Sequence, residues 1–345
     1  MTTTRPVQDS RAGRWVARHR FIAFVALAYA ISWSLWLGAA AGGGQALFLL
    51  GGLGPMAAAA IVTAVSGGSL IAWIRPVWRW RVPARWWAYA LGLPALLYVV
   101  ATLVLQGLGF PVDWSLGIER LPDYLGTLVF VLFLGGAMEE PGWRGFGLPV
   151  LQERYSPLRA TIVLGLVWGV WHVPIYGPAG FVVPWVLAVF YTLLWNATHS
   201  VGLCILLHAS FTPAQDHLLL MPRQDAYTAV LDTPDWVILG TYLVAAGVVV
   251  AMTRGRLGAG LPRGRFSPDS AGPRRSFIAR DRGCLSTGGA PGWLIVWSLA
   301  ASRSLVVGGR RLCGGCRGRR RRRSREVVGI DRDRPARHQE DERRG

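Results

Sequence analysis

Apolar runs of about 18 to 25 residues recur along this chain of 345 residues, and each is long enough to cross a ~30 Å hydrocarbon core. A soluble protein of this length could bury a core with shorter elements, so the recurrence is what decides the class. We read eight spans, at roughly 21–40, 46–65, 86–108, 124–140, 160–176, 182–197, 200–220 and 236–252. The fourth and sixth are short for a span. Many of the 17 Trp stand near the ends of these runs, where aromatic belts meet the membrane interface. The expected fold is an all-α integral membrane protein, a bundle of about eight transmembrane helices around a polar cavity.

Charge sorts the loops. The formal net charge is +18, but residues 253–345 hold 23 Arg against 8 acidic residues, and residues 1–252 hold 14 against 11. Within the membrane part, Arg5, Arg11, Arg14, Arg18 and Arg20 precede span one. Arg75, Arg79, Arg81 and Arg85 follow span two; Arg144, Arg154 and Arg159 follow span four; Arg254 and Arg256 follow span eight. The alternate loops carry Asp113, Glu119 and Asp123, then Asp216, Asp225, Asp232 and Asp235. The positive-inside rule then places both termini in the cytoplasm of a plasma-membrane protein.

Residues 1–20 read as a basic cytoplasmic lead and 21–256 as the multi-pass domain. Residues 257–345, rich in Gly, Arg, Ser and Pro, cannot bury enough apolar area to offset chain entropy and read as a disordered tail. Its run Arg319–Arg323 can attract nucleic acid or anionic head groups, but no specific nucleic-acid binding is expected. The single C-x-x-C at Cys313 and Cys316 falls short of a zinc module. No cleavable signal peptide is expected, because the first apolar run is too long for one.

Ionisable groups inside spans cost about 2.5–3.5 kcal/mol or more each, and here they concentrate in spans four, five and seven. Span four ends in Glu139-Glu140-Pro141-Gly142-Trp143-Arg144-Gly145. Two adjacent carboxylates in an apolar setting cannot both ionise cheaply, which suits one of them to general-base work. Arg144 lies four residues after Glu140, within pairing reach if the helix continues, although Pro141 and Gly142 could bend it there. The plainer reading is an interfacial Glu–Arg pair that snorkels to the head groups. Span five carries His172, with Trp168 one turn earlier on the same face. Span seven carries His208, with Thr212 one turn later. Asn196, His199, Asp216 and His217 lie near span ends and read as structural. With no H-E-x-x-H and no G-x-S-x-G in the chain, the Glu/Glu/His/His set points to water activation rather than a covalent intermediate.

E-E-P-G-W-R-G, then W-x-x-x-H, then H-x-x-x-T, in order on three spans, resembles the CPBP family, the type II CAAX prenyl endopeptidases and their bacteriocin-processing and immunity relatives. The resemblance covers about 124–215, including the linker 145–156, GFGLPVLQERYS. The family pattern is E-E-x-x-x-R, an aromatic followed by x-x-x-H, and H-x-x-x-N or D, so Thr212 departs from it. The resemblance implies an intramembrane endopeptidase with Glu139 as general base and His172 as its partner. It implies His208 and the position of Thr212 as oxyanion donors, with Glu140 and Arg144 setting the charge state. Such proteins have been described both as metal-dependent and as metal-free; zinc would take Glu139, His172 and His208. The implied partner is a peptide or membrane-protein segment within the bilayer. Two other readings stay open: a catalytically inactive scaffold or bacteriocin-immunity protein, and a small transporter with Glu139 or Glu140 as proton site.

Overall fold

The first apolar run forms helix Arg20–Gly38, and glycines turn it. Gly42 and Gly44 take φ of 99° and 79°, a left-handed backbone open to glycine and strained for other residues. The chain passes through Ala39–Gly43 and returns as Gly44–Gly52 and Gly54–Val65. Trp36 Nε1 donates to the Phe48 carbonyl at 3.0 Å, Gly51 lies against the Trp36 indole, and Gly54 lies against Ser32. Close backbone approach at such small residues is how helices associate without a hydrophobic drive between them. The stretch Arg20–Gly52 runs 33 residues, yet this turn divides it into two antiparallel arms near the boundary read between spans one and two.

This computed structural model describes residues 10–221 and 233–260, and every regular element among them is helical. Five helical stretches are long and apolar enough to cross a membrane: Arg20–Gly52, Ala84–Gly107, Leu121–Gln152, Pro157–Tyr176 and Thr233–Met252. Gly54–Val65 and Val182–Thr198 are shorter apolar helices, and Val201–His217 carries His208. The outer surface is apolar: Leu37, Phe133 and Val244 are among the large side chains exposed on it, as lipid contact requires. The chain is an all-α membrane protein.

Span four differs from expectation in where it breaks. The sequence suggested a bend after the glutamates, at Pro141-Gly142. Helix Leu121–Phe133 instead ends before them, at Leu134 and the extended Gly135. The helical path resumes as a 3₁₀ turn Gly136–Glu139, an α turn Glu140–Gly142, a wide π turn Trp143–Gly147 and helix Leu148–Gln152. Pro141 sits at the start of an α turn, where a missing N–H costs least. Gly142 lies against the backbone of Pro55, so this segment is wedged against the returning arm of the first hairpin.

Contacts between loops define the two ends of the bundle. At one end Arg20 pairs with Glu153 at 2.6 Å. At the other, Arg120 donates to the carbonyls of Leu219 and Met221 at 2.8 and 3.0 Å, and the Asp113 N–H donates to Leu220 at 3.0 Å. Each set joins segments that the loop charges assign to a common side. Asp113 accepts from the hydroxyl and the N–H of Ser115, which hold its carboxyl below the usual carboxylate range. Asp225 and Asp232, used in that charge reading, lie outside the described residues, as does Arg5.

Leu257 is fully buried, its carbonyl accepts from Asn196 Nδ2 at 2.9 Å, and Gly258 lies against the Leu193 carbonyl. The packed domain therefore continues past 256. The remainder of the expected tail, 261–345, lies outside the described residues.

Candidate active site

Sixty-eight residues separate Glu140 from His208, and their side chains meet at 2.9 Å. The Oε1 that contacts His208 Nδ1 also accepts from Arg144 Nη1 at 3.0 Å. A carboxylate only accepts, so Nδ1 of His208 carries a hydrogen and Nε2 points away from Glu140. Glu140 and Arg144 are both fully buried, which corrects the reading of a snorkelling interfacial pair.

Arg144 spends one N–H on Glu140, while its Nε and Nη2 are enclosed with no hydrogen-bond partner among the described residues. Aromatic faces hold the rest of the cation. Its guanidinium carbon lies 4.0 Å from the Trp168 ring centroid and 4.2 Å from that of Tyr191. A desolvated cation between two π faces gains about 2 kcal/mol or more. Trp168 comes from the helix of His172, and Tyr191 from helix Val182–Thr198. One ion pair thus ties three stretches of chain together.

Glu139 faces differently. Its Oε2 accepts from the indoles of Trp143 at 3.2 Å and Trp168 at 2.9 Å. Its Oε1 is aimed at Gly136: a β-carbon placed there would stand 2.9 Å from Glu139 Oε1 and 3.0 Å from His208 Nε2. Those two atoms therefore flank one small space, at most twice such a distance apart.

His172 is buried, with Nδ1 2.9 Å from the Trp168 carbonyl. A carbonyl also only accepts, so Nδ1 holds the hydrogen and Nε2 is the edge left for other work. The ring packs at 5.5 Å from Trp168 and 5.8 Å from Tyr176. The His208 ring is 6.0 Å from the same Trp168 indole, so both histidines border one side chain. Thr212 lies one turn beyond His208 and is half-buried.

The sequence-derived set of Glu139, Glu140, Arg144, His172 and His208 is thus gathered around Trp168. Among the other polar residues singled out, His217 meets Thr127 at 3.0 Å and Asn196 binds Leu257, both away from the cluster. Sequence reasoning gave no role to Tyr191, Trp143 or Gly136. Trp143 stands four residues after Glu139, as Trp168 stands four before His172, and that spacing was the available signal. Tyr191 and Gly136 leave no such mark.

A cavity of about 540 Å³ is lined by Trp36, Phe48, Pro174 and Ile175 among others, and Ile175 stands three residues after His172 in the same helix. Glu139, His172 and His208 were the expected zinc ligands. Among the described residues no group of three or more His, Cys, Asp or Glu is arranged to hold a metal ion. Both Nδ1 atoms and Glu139 Oε2 are already committed, which leaves Nε2 of each histidine and Oε1 of Glu139 as the remaining donor atoms.

Residues 121–212 match the family model described as type II CAAX prenyl endopeptidase Rce1-like. That range contains every candidate site residue and the helix break at Leu134 and Gly135. CAAX prenyl protease 2 of Methanococcus maripaludis is 35% identical over 80 residues, which make up 23% of this chain and 29% of that protein. The match is to less than a third of the relative's length. On this stretch, with its buried glutamate pair and two histidines, the chain is similar to the Rce1-like type II CAAX prenyl endopeptidases.

Proposed function

We propose that the chain is a membrane-embedded endopeptidase that hydrolyses a peptide bond with a water activated by Glu139. The observation that carries this reading is the shared space between Glu139 Oε1 and His208 Nε2, beside Gly136. A water there meets a base on one side, and a scissile carbonyl can meet a donor on the other.

Glu139 Oε1 takes a proton from the water as its oxygen adds to the carbonyl carbon. The carbonyl electrons move to the oxygen, and the resulting oxyanion is received by Nε2–H of His208 in its imidazolium form. Glu140, fixed on Nδ1, keeps that ring oriented and balances its charge, as a carboxylate does behind a catalytic histidine. Arg144 holds Glu140. Glu139 then returns its proton to the departing nitrogen as the C–N bond breaks, so one carboxylate serves as base and then acid. His172 Nε2 is the second polar edge for orienting the water, and the Thr212 hydroxyl the second donor for the oxyanion. No step is routed through zinc.

The substrate class proposed is a peptide or membrane-protein segment reached within the bilayer. The relative's name makes a prenylated C-terminal peptide the first to try. Purified protein in lipid vesicles would be offered that peptide, its unprenylated form and a mixed peptide library, with and without chelator, and products read by mass spectrometry. Cleavage by the wild type that survives chelation supports the reading. Binding without cleavage would favour the inactive scaffold instead.

A further inference from the structure

Most of the site accounts for charge, but the two hydrogen bonds on Glu139 Oε2 do something else. Both donors are neutral indole N–H groups. Trp143 follows Glu139 by one turn of the same segment and Trp168 belongs to helix Pro157–Tyr176. Neither indole is free to swing. Trp143 is fully buried, edge-on to Phe24 at 5.3 Å and to Trp171 at 5.8 Å. Trp168 is 2% exposed, with Arg144 on its face and Tyr191 at its edge, 5.4 Å away.

A carboxylate's terminal torsion is soft and roughly two-fold, so either oxygen can face a given direction. Two donors from two segments on a single oxygen remove that freedom. They load Oε2 and leave the lone pairs of Oε1 toward Gly136 and His208 Nε2. Neutral donors do so without adding a charge that would compete with Arg144.

We propose that Trp143 and Trp168 are positioning residues for Glu139, a pair of indole clamps that selects which carboxylate oxygen meets the reacting water. The proposal rests on the reading of Glu139 as general base. It gives the aromatic at 168 a task that the ring alone does not perform: phenylalanine would fill the space and face Arg144, yet offer Glu139 nothing.

Trp143→Phe, Trp168→Phe and the double variant would be compared in lipid vesicles with wild type and with Trp86→Phe, a buried indole packed edge-on to Tyr89 outside the site. The clamp predicts about a tenfold fall in kcat for each single variant and about a hundredfold for the double, the scale of a misplaced reacting group. KM should stay within about twofold, and Trp86→Phe should match wild type. A double variant with wild-type kcat, or one whose loss lies wholly in KM, overturns the proposal. Difference infrared spectroscopy gives a readout without turnover, the Glu139 carboxyl band being assigned by its loss in Glu139→Gln. The band should shift in both single variants, and an unmoved band overturns the clamp whatever the activity. A shifted band in a protein that cleaves no peptide would leave the clamp standing and defeat the endopeptidase reading instead.

Discussion

Oε1 of Glu140 accepts from Arg144 Nη1 at 3.0 Å and lies 2.9 Å from His208 Nδ1. One oxygen atom therefore joins the glutamate segment to the His208 helix and sets which nitrogen of His208 faces the site. The arrangement is held by planar stacking as much as by charge, since Trp168 and Tyr191 enclose the guanidinium.

Arg144 should not tolerate lysine. An ammonium has no plane to lie between two rings and is more strongly hydrated. Arg144→Ala strands a buried carboxylate and should destabilise the protein by about 3–5 kcal/mol, with Arg144→Lys recovering little of it. Thermal unfolding in detergent reads both. By contrast Glu153→Ala breaks the exposed pair with Arg20 and should cost no more than about 1 kcal/mol.

Gly136→Ala should inactivate without unfolding. The added methyl would sit against Glu139 Oε1 and His208 Nε2, in the space that the proposed mechanism needs for the water. We expect at least about a hundredfold loss of kcat, with a melting temperature within a few degrees of wild type. A Gly136→Ala protein of normal activity would show that the reaction does not use this space.

Much of this site was legible in the sequence, because intramembrane charge is too costly to be scattered. Glu139, Glu140, Arg144, His172 and His208 stand out in apolar runs, and the i, i+4 spacing of Glu140 and Arg144 anticipated their pair. Tyr191 was not legible, because one Tyr in an apolar helix carries no local sign of a cation 47 residues away in the chain. The break at Gly135 was missed because Pro141-Gly142 is the louder local signal. Packing against Pro55 keeps the segment helical through it. The docking of Leu257 was not legible because its hydrogen bond comes from Asn196, a long-range partner that composition does not reveal.

Thr212 stands one turn beyond His208. As a second oxyanion donor it should matter by about 10²-fold in rate. Thr212→Val, which keeps the shape and removes the hydroxyl, should lower kcat with little change in fold, and Thr212→Asn should keep or raise it. A silent Thr212→Val would leave His208 as the one donor from this helix.

The contacts at the two ends of the bundle predict sidedness. Cysteines placed at 153 and at 113, in a protein whose native cysteines are replaced, should react with a membrane-impermeant thiol reagent from opposite faces. With the loop charges as read, position 153 is cytoplasmic. Labelling of both from one face would contradict the single span between them.

The central claim is that Glu139 activates the water. The measurement is initial-rate cleavage, at saturating substrate, of the best peptide found for the wild type, by wild type and Glu139→Gln in identical lipid vesicles. Glutamine keeps the size and can still accept from Trp143 and Trp168, but it takes no proton. The account predicts a loss of about 10³-fold or more, with substrate binding retained and Glu140→Gln failing by lost stability as well as lost rate. Cleavage by Glu139→Gln at near the wild-type rate would contradict it.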